Sequence, residues 1–363
     1  MRVAFVSTER DWGGGEVQLV RLGSLLSERG DEVLFLASAA GKLREAVPTG
    51  ATCTLRTFPG RGRSPWSWLR ARAALRAFRP QVVYLNDPRG VLLGGLASLG
   101  MGIPRIAARR AAFPIRSPGK YRRFADRIIC VSKQVAAICR ESGLPAERLR
   151  VVYDGADVER YAEIDRAEAA AAVRSLVDAH RGPSDVPVLL TAGKLTECKG
   201  HHVLLDALSR LVDRRWVLIL LGEGERREAL ASRAAALGLA DRVIMPGFRD
   251  DLPLLLCGTD VFVFPSLQEG LGSTVIEAMA AGVPIVATTA GGLPELLQPD
   301  EGPPIGLSVP PGDAEALATA IGAVLDDPES HADTRRAREL ARQRFSFDRM
   351  VGDTRAVMAE LLA

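Results

Sequence analysis

No apolar run in the chain approaches the roughly 18 residues that a membrane-spanning helix requires, so a helical span is not expected. Met1–Ser7 carries one Arg and a run too short for a signal peptide, and it leads into a Gly-rich turn; it reads as a first core strand. The five cysteines, Cys53, Cys130, Cys139, Cys198 and Cys257, are scattered and form no CxxC pair. A disulfide framework or zinc site is therefore not expected, and a reducing cytoplasm fits. Aromatic residues make up 5% of the chain, few for base stacking, and no nucleic-acid module is recognisable, so nucleic acid is a poor partner. All four histidines, His180, His201, His202 and His331, lie at residue 180 or beyond. His201 and His202 read as surface residues at a helix start, since a metal site needs more converging ligands. There is no short-period repeat and no low-complexity tract.

What is present is ample core: 47% hydrophobic and 25% charged residues in 363, enough for two domains at about 100–200 residues each. The net charge of +3 hides an asymmetry: residues 1–160 hold 27 basic and 14 acidic side chains, and residues 161–363 hold 20 and 30. A basic first half points to an anionic partner.

Short apolar runs alternate with helical patterns. Val3–Val6, Val33–Leu36, Gln81–Leu85, Arg105–Ala108, Arg127–Val131 and Arg150–Tyr153 read as buried strands. A helix after Trp12-Gly13-Gly14-Gly15-Glu16 is expected to turn Val17, Val20, Leu22, Leu25 and Leu26 inward. A linker is expected between Asp157 and Pro187, with a turn at 181–185. A second series follows at Val188–Ala192, Trp216–Leu221, Arg242–Met245, Val261–Phe264 and Pro284–Ala287. Strand–helix–strand units of this length give parallel, right-handed, doubly wound sheets, hence an α/β protein with two Rossmann-like domains.

The segment Pro265–Pro284 is the most informative. Gly270 and Gly272 permit a tight turn after a strand, and a helix begins near Ser273. Its N-terminal N–H groups and positive dipole end suit a phosphate. Glu269 and Glu277, eight residues apart, can accept bonds from two sets of sugar hydroxyls. Such a ligand would lie at the carboxyl ends of parallel strands.

This E-x7-E in the setting PSxxEGxGxxxxEAMAxGxP resembles retaining glycosyltransferase family 4, which has the GT-B fold. Further likenesses are Gly13–Glu16 to the family's GGxE loop, Val152–Asp157 to its xxNGxD segment, and Gly193–Gly200 to its GRLxxxKG element. Gly222-Glu223-Gly224, Met245–Phe248 and Thr289–Glu295 match its GxG turn, nucleobase loop and GGxxE. The resemblance covers nearly the whole chain. It implies residues 1–165 plus 346–363 as an acceptor-binding domain, with the C-terminal segment crossing back to it. Residues 166–345 would bind the nucleotide sugar, the two domains facing each other across a cleft.

The resemblance also assigns roles. Glu269 would hold the donor sugar, Gly270, Leu271, Gly272 and Ser273 the sugar and distal phosphate, and Glu277 the ribose. Lys194 and Lys199 would neutralise the diphosphate; with Glu269 they form the implied catalytic set. Gly193, Gly222, Gly247 and Phe248 would line the nucleotide, and Gly14 and Gly15 would approach from the first domain. The chain lacks a DxD motif, and two cations with a helix N-terminus suffice to stabilise a diphosphate leaving group, so neither a metal nor a cofactor is expected. The implied donor is a UDP-sugar in preference to a GDP-sugar.

Two departures stand out. Lys194 replaces the family's Arg and loses its bidentate fork. No histidine lies in the first domain, where the family presents one to the donor sugar. Glu16, Asn86, Asp87, Arg109, Arg110 and Arg116 are the residues there to contact an acceptor. The basic stretch 105–127 suits an anionic glycan or lipid-linked acceptor. The stretch 61–79 fits an interfacial amphipathic helix and fits a core-packed helix equally well. The reading is a cytoplasmic enzyme of envelope-glycan or lipopolysaccharide synthesis, with room for peripheral contact with the inner membrane face. A same-fold nucleotide-sugar epimerase and a catalytically silent sugar-binding scaffold stay open as alternatives.

Overall fold

A computed structural model describes residues 1–181 and 185–363. The chain forms two compact units, Met1–Gly155 with Phe347–Ala363, and Ala156–Ser346. The break at 155/156 lies ten residues before the one read from the sequence, because the short helix Val158–Ala162 packs on helices Ser273–Ala281 and Thr334–Arg344 of the second unit. The turn expected at 181–185 falls mostly on residues 182–184, outside the described residues.

The first unit holds seven strands: β1 Arg2–Ser7, β2 Glu32–Ser38, β3 Cys53–Phe58, β4 Val82–Leu85, β5 Arg105–Arg109, β6 Arg127–Cys130 and β7 Leu149–Val151. All pair in parallel, in the order β3-β2-β1-β4-β5-β6-β7. The register sets Phe5 beside Phe35 and Tyr84. Their rings meet at 5.2 Å stacked and 5.3 Å edge-on, the favoured aromatic geometries.

Edge strand β3 escaped the sequence reading because only its ends, Cys53 and Phe58, are buried and the residues between them are half-buried or exposed, so it forms no apolar run. The helix Gly14–Glu28 also corrects that reading. Leu19, Leu22 and Leu26 face the core, while Val17 is exposed. The rotation follows from Gln18, whose buried amide donates to Gly155 O at 2.8 Å and accepts from Gly155 N at 3.1 Å. The C-terminal helix Phe347–Ala359 buries Met350, Val351, Val357 and Met358 in this core and packs on Gly14–Glu28, as the crossing-back expectation required.

The second unit holds β8 Val188–Ala192, β9 Val217–Leu221, β10 Val243–Gly247, β11 Val261–Phe264, β12 Ile285–Thr288 and β13 Leu307–Val309, in the parallel order β10-β9-β8-β11-β12-β13. β13 is a three-residue edge strand with one buried residue, too short to read as a periodic run. Leu204, Leu208, Trp216, Leu220, Val263 and Ile321 form part of its core.

Candidate functional site

In both sheets the strand order reverses once: between β1 and β4 in the first, between β8 and β11 in the second. Loops leaving the carboxyl ends of the strands flanking such a reversal diverge and leave a crevice. Most of the residues picked out from the sequence lie at these ends.

In the second unit, Gly193 and Lys194 follow β8, Gly222 follows β9, Gly247 ends β10 with Phe248 beyond it, and Glu269–Gly272 follow β11. The strand ends are stitched closely. Gly222 N donates to Gly247 O at 2.9 Å, Gly193 N to Leu221 O at 3.1 Å, and Leu267 N to Cys198 O at 2.8 Å. Two glycines are obligatory here. Gly222 has φ 131°, and a Cβ would strike Gly193 O; Gly291 has φ 56°, and a Cβ would strike Glu269 O. The backbone of Glu269 is thus wedged in place by the loop after β12.

Lys199 and Glu269 meet across the reversal. The Lys199 ammonium is 2.5 Å from Glu269 Oε2, with side-chain exposures of 22% and 14%, and sits 5.0 Å from the centre of the Phe264 ring. Ser266 Oγ donates to the same carboxylate oxygen at 3.3 Å, and Gly270 N donates to Oε1 at 3.2 Å. The Lys199 stem runs over Gly193, about where a side chain there would stand, 3.9 Å from an added Cβ. Lys194, by contrast, is exposed.

The helix Ser273–Ala281 starts from Gly272, φ 99°. Leu271 is buried and Ser273 opens the helix. Glu277 sits on its second turn, partly buried. Burial pushes its carboxyl up to about 7, against the opposing pull of the Tyr161 hydroxyl and Arg160. That hydroxyl is itself buried, and it faces Glu277 without a hydrogen bond of ordinary geometry among the described residues. Tyr161 was not picked out from the sequence, where it sits in an unremarkable charged helix. His201, read as a surface residue, is buried, and burial draws its imidazole down to about 4; it opens the helix His201–Ser209. Phe248 is 73% exposed beside Gly247.

In the first unit, Gly14 and Gly15 form the first turn of the helix after β1. The Cδ of Arg110 packs 3.8 Å from where a Cβ on Gly15 would be. Arg110 Nε donates to Asp154 Oδ1 at 3.1 Å and Nη1 donates to Asn86 Oδ1 at 2.7 Å; Asn86 Nδ2 reaches Glu16 Oε1 at 3.4 Å. Burial opposes the Arg110 charge, but Asp154 and Tyr84 together outweigh it and hold the guanidinium firmly charged. Burial raises the Glu16 carboxyl to about 7, with Arg110 pulling the other way. Glu16, Asn86 and Arg110 thus form one network, completed by Asp154, which occupies the Asn position of the junction segment.

Asp87 stands apart. Its carboxylate accepts from Thr8 N at 2.7 Å and Thr8 Oγ1 at 2.6 Å, and caps the helix Pro88–Ala97 through Arg89 N at 3.0 Å and Gly90 N at 2.8 Å. Those bonds tie β1 to β4 and occupy both oxygens. Arg109 is buried and donates to Phe113 O, while Arg116 is exposed.

Residues 12–160 match the family described as Glycosyltransferase Family 4, and residues 174–341 match Glycosyl transferases group 1. The lipopolysaccharide core biosynthesis glycosyltransferase LpsE of Rhizobium meliloti is 30% identical over 87% of this chain and 86% of its own. WcaL of Escherichia coli, assigned to colanic acid biosynthesis, is 30% identical over 71% of this chain; the chain spans 62% of that longer relative. Among solved structures, Anabaena HepE in complex with UDP-glucose superposes with a TM-score of 0.85 at 24% identity, covering 100% of this chain and 99% of its own, which establishes a common fold. By sequence and by fold, the chain belongs to glycosyltransferase family 4 and is a glycosyltransferase of the GT-B fold.

Proposed function

We propose that this enzyme moves a hexose-type sugar, with retention of configuration and without a metal, from a UDP-sugar to an anionic glycan or lipid-linked acceptor in envelope or lipopolysaccharide synthesis. The observation that carries the reading is the Lys199–Glu269 pair at the strand reversal of the second unit, with Glu269 four residues before the helix Ser273–Ala281. A cation and a helix N-terminus there meet a diphosphate, while the carboxylate meets sugar hydroxyls. The preference for UDP is supported by the UDP-glucose complex of the similarly folded HepE. The acceptor class is supported by the assignments of LpsE and WcaL and by the basic first half of this chain. The site of action is the cytoplasmic face of the membrane.

In this reading Phe248 offers an exposed ring to the base, and Glu277 accepts from the ribose hydroxyls. Gly193 and Gly222 keep the nucleotide path open. Lys199, Lys194 and the N–H groups of Gly270–Ser273 hold the diphosphate. The bond from the anomeric carbon to the diphosphate oxygen breaks first, and its electron pair leaves with the phosphate. Preorganised cations and N–H groups stabilise that charge as it develops. The acceptor hydroxyl attacks the same face, and its proton passes to the departing phosphate oxygen. In the first unit the Glu16–Asn86–Arg110 network offers hydrogen bonds to the acceptor.

Thermal unfolding with UDP, GDP, ADP and TDP, each with and without chelator, tests this. A ligand at about 100 times its dissociation constant stabilises by roughly 2.7 kcal/mol. The expected result is a shift with UDP that chelator leaves unchanged; no shift with any nucleotide overturns the donor-site assignment.

A further inference from the structure

The helix Pro65–Phe78 packs beside Pro88–Ala97, and that helix packs beside Pro118–Phe124, so their outer sides adjoin. Pro65–Phe78 buries Ser67, Ala71 and Leu75 and leaves Trp66 and Leu69 70% and 46% exposed. On the next helix Leu92 and Leu96, with Leu99 just past its end, form an outward stripe at 45%, 40% and 43% exposure. Arg72 crosses between the two helices, donating to Ala97 O at 2.9 Å and Leu99 O at 2.8 Å, which fixes the two apolar groups side by side. Between residues 46 and 125 the sequence carries fifteen basic side chains and a single acid, Asp87, which is buried. Arg70, Arg76, Arg122 and Arg123 are exposed on the flanking helices.

We propose that this surface docks the enzyme on an anionic lipid bilayer. Contiguous exposed apolar side chains mark an interaction surface. Apolar groups ringed by arginines match the boundary between acyl chains and anionic headgroups, where both kinds of group are used at once. A nucleic acid leaves the Leu92–Leu96–Leu99 stripe without a partner, and an uncharged protein face leaves the arginines without one. No helix among the described residues is long and apolar enough to cross a membrane, so the contact is peripheral. The inference extends the proposed reading by saying how the enzyme reaches a membrane-held acceptor, and it needs neither donor nor turnover to be tested.

The experiment is co-sedimentation of the full chain with phosphatidylglycerol–phosphatidylcholine vesicles and with phosphatidylcholine vesicles alone. Binding to the anionic vesicles is expected to be at least tenfold tighter. Leu92→Ser/Leu96→Ser and Arg76→Glu/Arg122→Glu are each expected to lower it at least tenfold, while UDP-glucose binding, measured on the same samples, stays at the wild-type level and reports intact folding. Equal binding to both vesicle types, or variants that bind anionic vesicles like wild type, overturns the proposal. So does a wild-type dimer that Leu92→Ser/Leu96→Ser converts to monomer in sedimentation equilibrium, since a second copy then covers the stripe. Failure of vesicle binding with intact UDP-glucose binding sinks the membrane surface alone; loss of UDP-glucose binding by the wild type sinks the donor site alone.

Discussion

Lys199 and Glu269, seventy residues apart in sequence, form a 2.5 Å ion pair beneath which the Phe264 ring lies. The pair sits where the loops after β8 and β11 diverge. In this structure the two charges satisfy each other; in the proposed reading a diphosphate would give Lys199 a second anion and free Glu269 oxygens for hydroxyls. Lys199→Ala removes the cation and leaves a largely buried carboxylate without its counter-ion. Steady-state kinetics should show kcat/KM falling on the order of 100- to 1000-fold, the typical cost of losing a charge-stabilising group. Lys199→Arg should recover part of it.

In the proposed reading Glu277 links donor binding to stability through its raised carboxyl. With a folded-state value near 7 and an unfolded value near 4.5, the native protein holds the extra proton between those limits. The contribution of this group to stability is therefore complete below about pH 4.5 and is lost as pH rises toward 7. Glu277→Gln removes the buried charge, so the ligand-free variant should unfold at a higher temperature than wild type at pH 8, by roughly 1–3 kcal/mol equivalent, and match it near pH 4.5. The same substitution should weaken UDP-sugar binding and flatten its rise between pH 6 and 8. Thermal scans and titrations over that range check both halves.

Gly291→Ala should be destabilising, on the order of 2–4 kcal/mol, because φ is 56° and the new methyl group meets the Glu269 carbonyl. Gly352→Ala, in an exposed stretch of the C-terminal helix with nothing near the added Cβ, should stabilise by up to about 1 kcal/mol. Chemical denaturation of the two variants separates close approach from simple helix propensity.

Arg110→Met removes the guanidinium that bonds both Asp154 and Asn86. Breaking a buried ion pair at one end costs about 3–5 kcal/mol, and the double variant Arg110→Met/Asp154→Leu should be less destabilised than the single one. A denaturation cycle on wild type, both singles and the double measures that coupling; additive losses contradict the network.

The sequence disclosed what burial makes monotonous and what catalysis makes peculiar. Central strands covered on both faces read as apolar runs, and the glycines and carboxylates after β11 stood out because a tight turn into a helix start needs such glycines and two glutamates eight residues apart flank it. Edge strands β3 and β13 were not legible, since half-exposed or very short strands carry no run. Polar residues inside the core misled in the other direction. Gln18 is buried because it clamps Gly155 by two hydrogen bonds, and that turned the first helix so that Val17 faces outward. Asp87 was read for its place at a strand end. The Asp-Pro pair opening an apolar helix is a capping signal, and the structure uses it so. The Arg110–Asp154 pairing joins the ends of non-adjacent strands, which no local pattern reports.

The most direct test of the account is a calorimetric titration of UDP-glucose, with chelator present, into wild type, Lys199→Ala and Glu277→Gln. The account predicts saturable binding by wild type and at least tenfold weaker binding by each variant. Wild-type affinity in both variants, or no binding by the wild type, contradicts it.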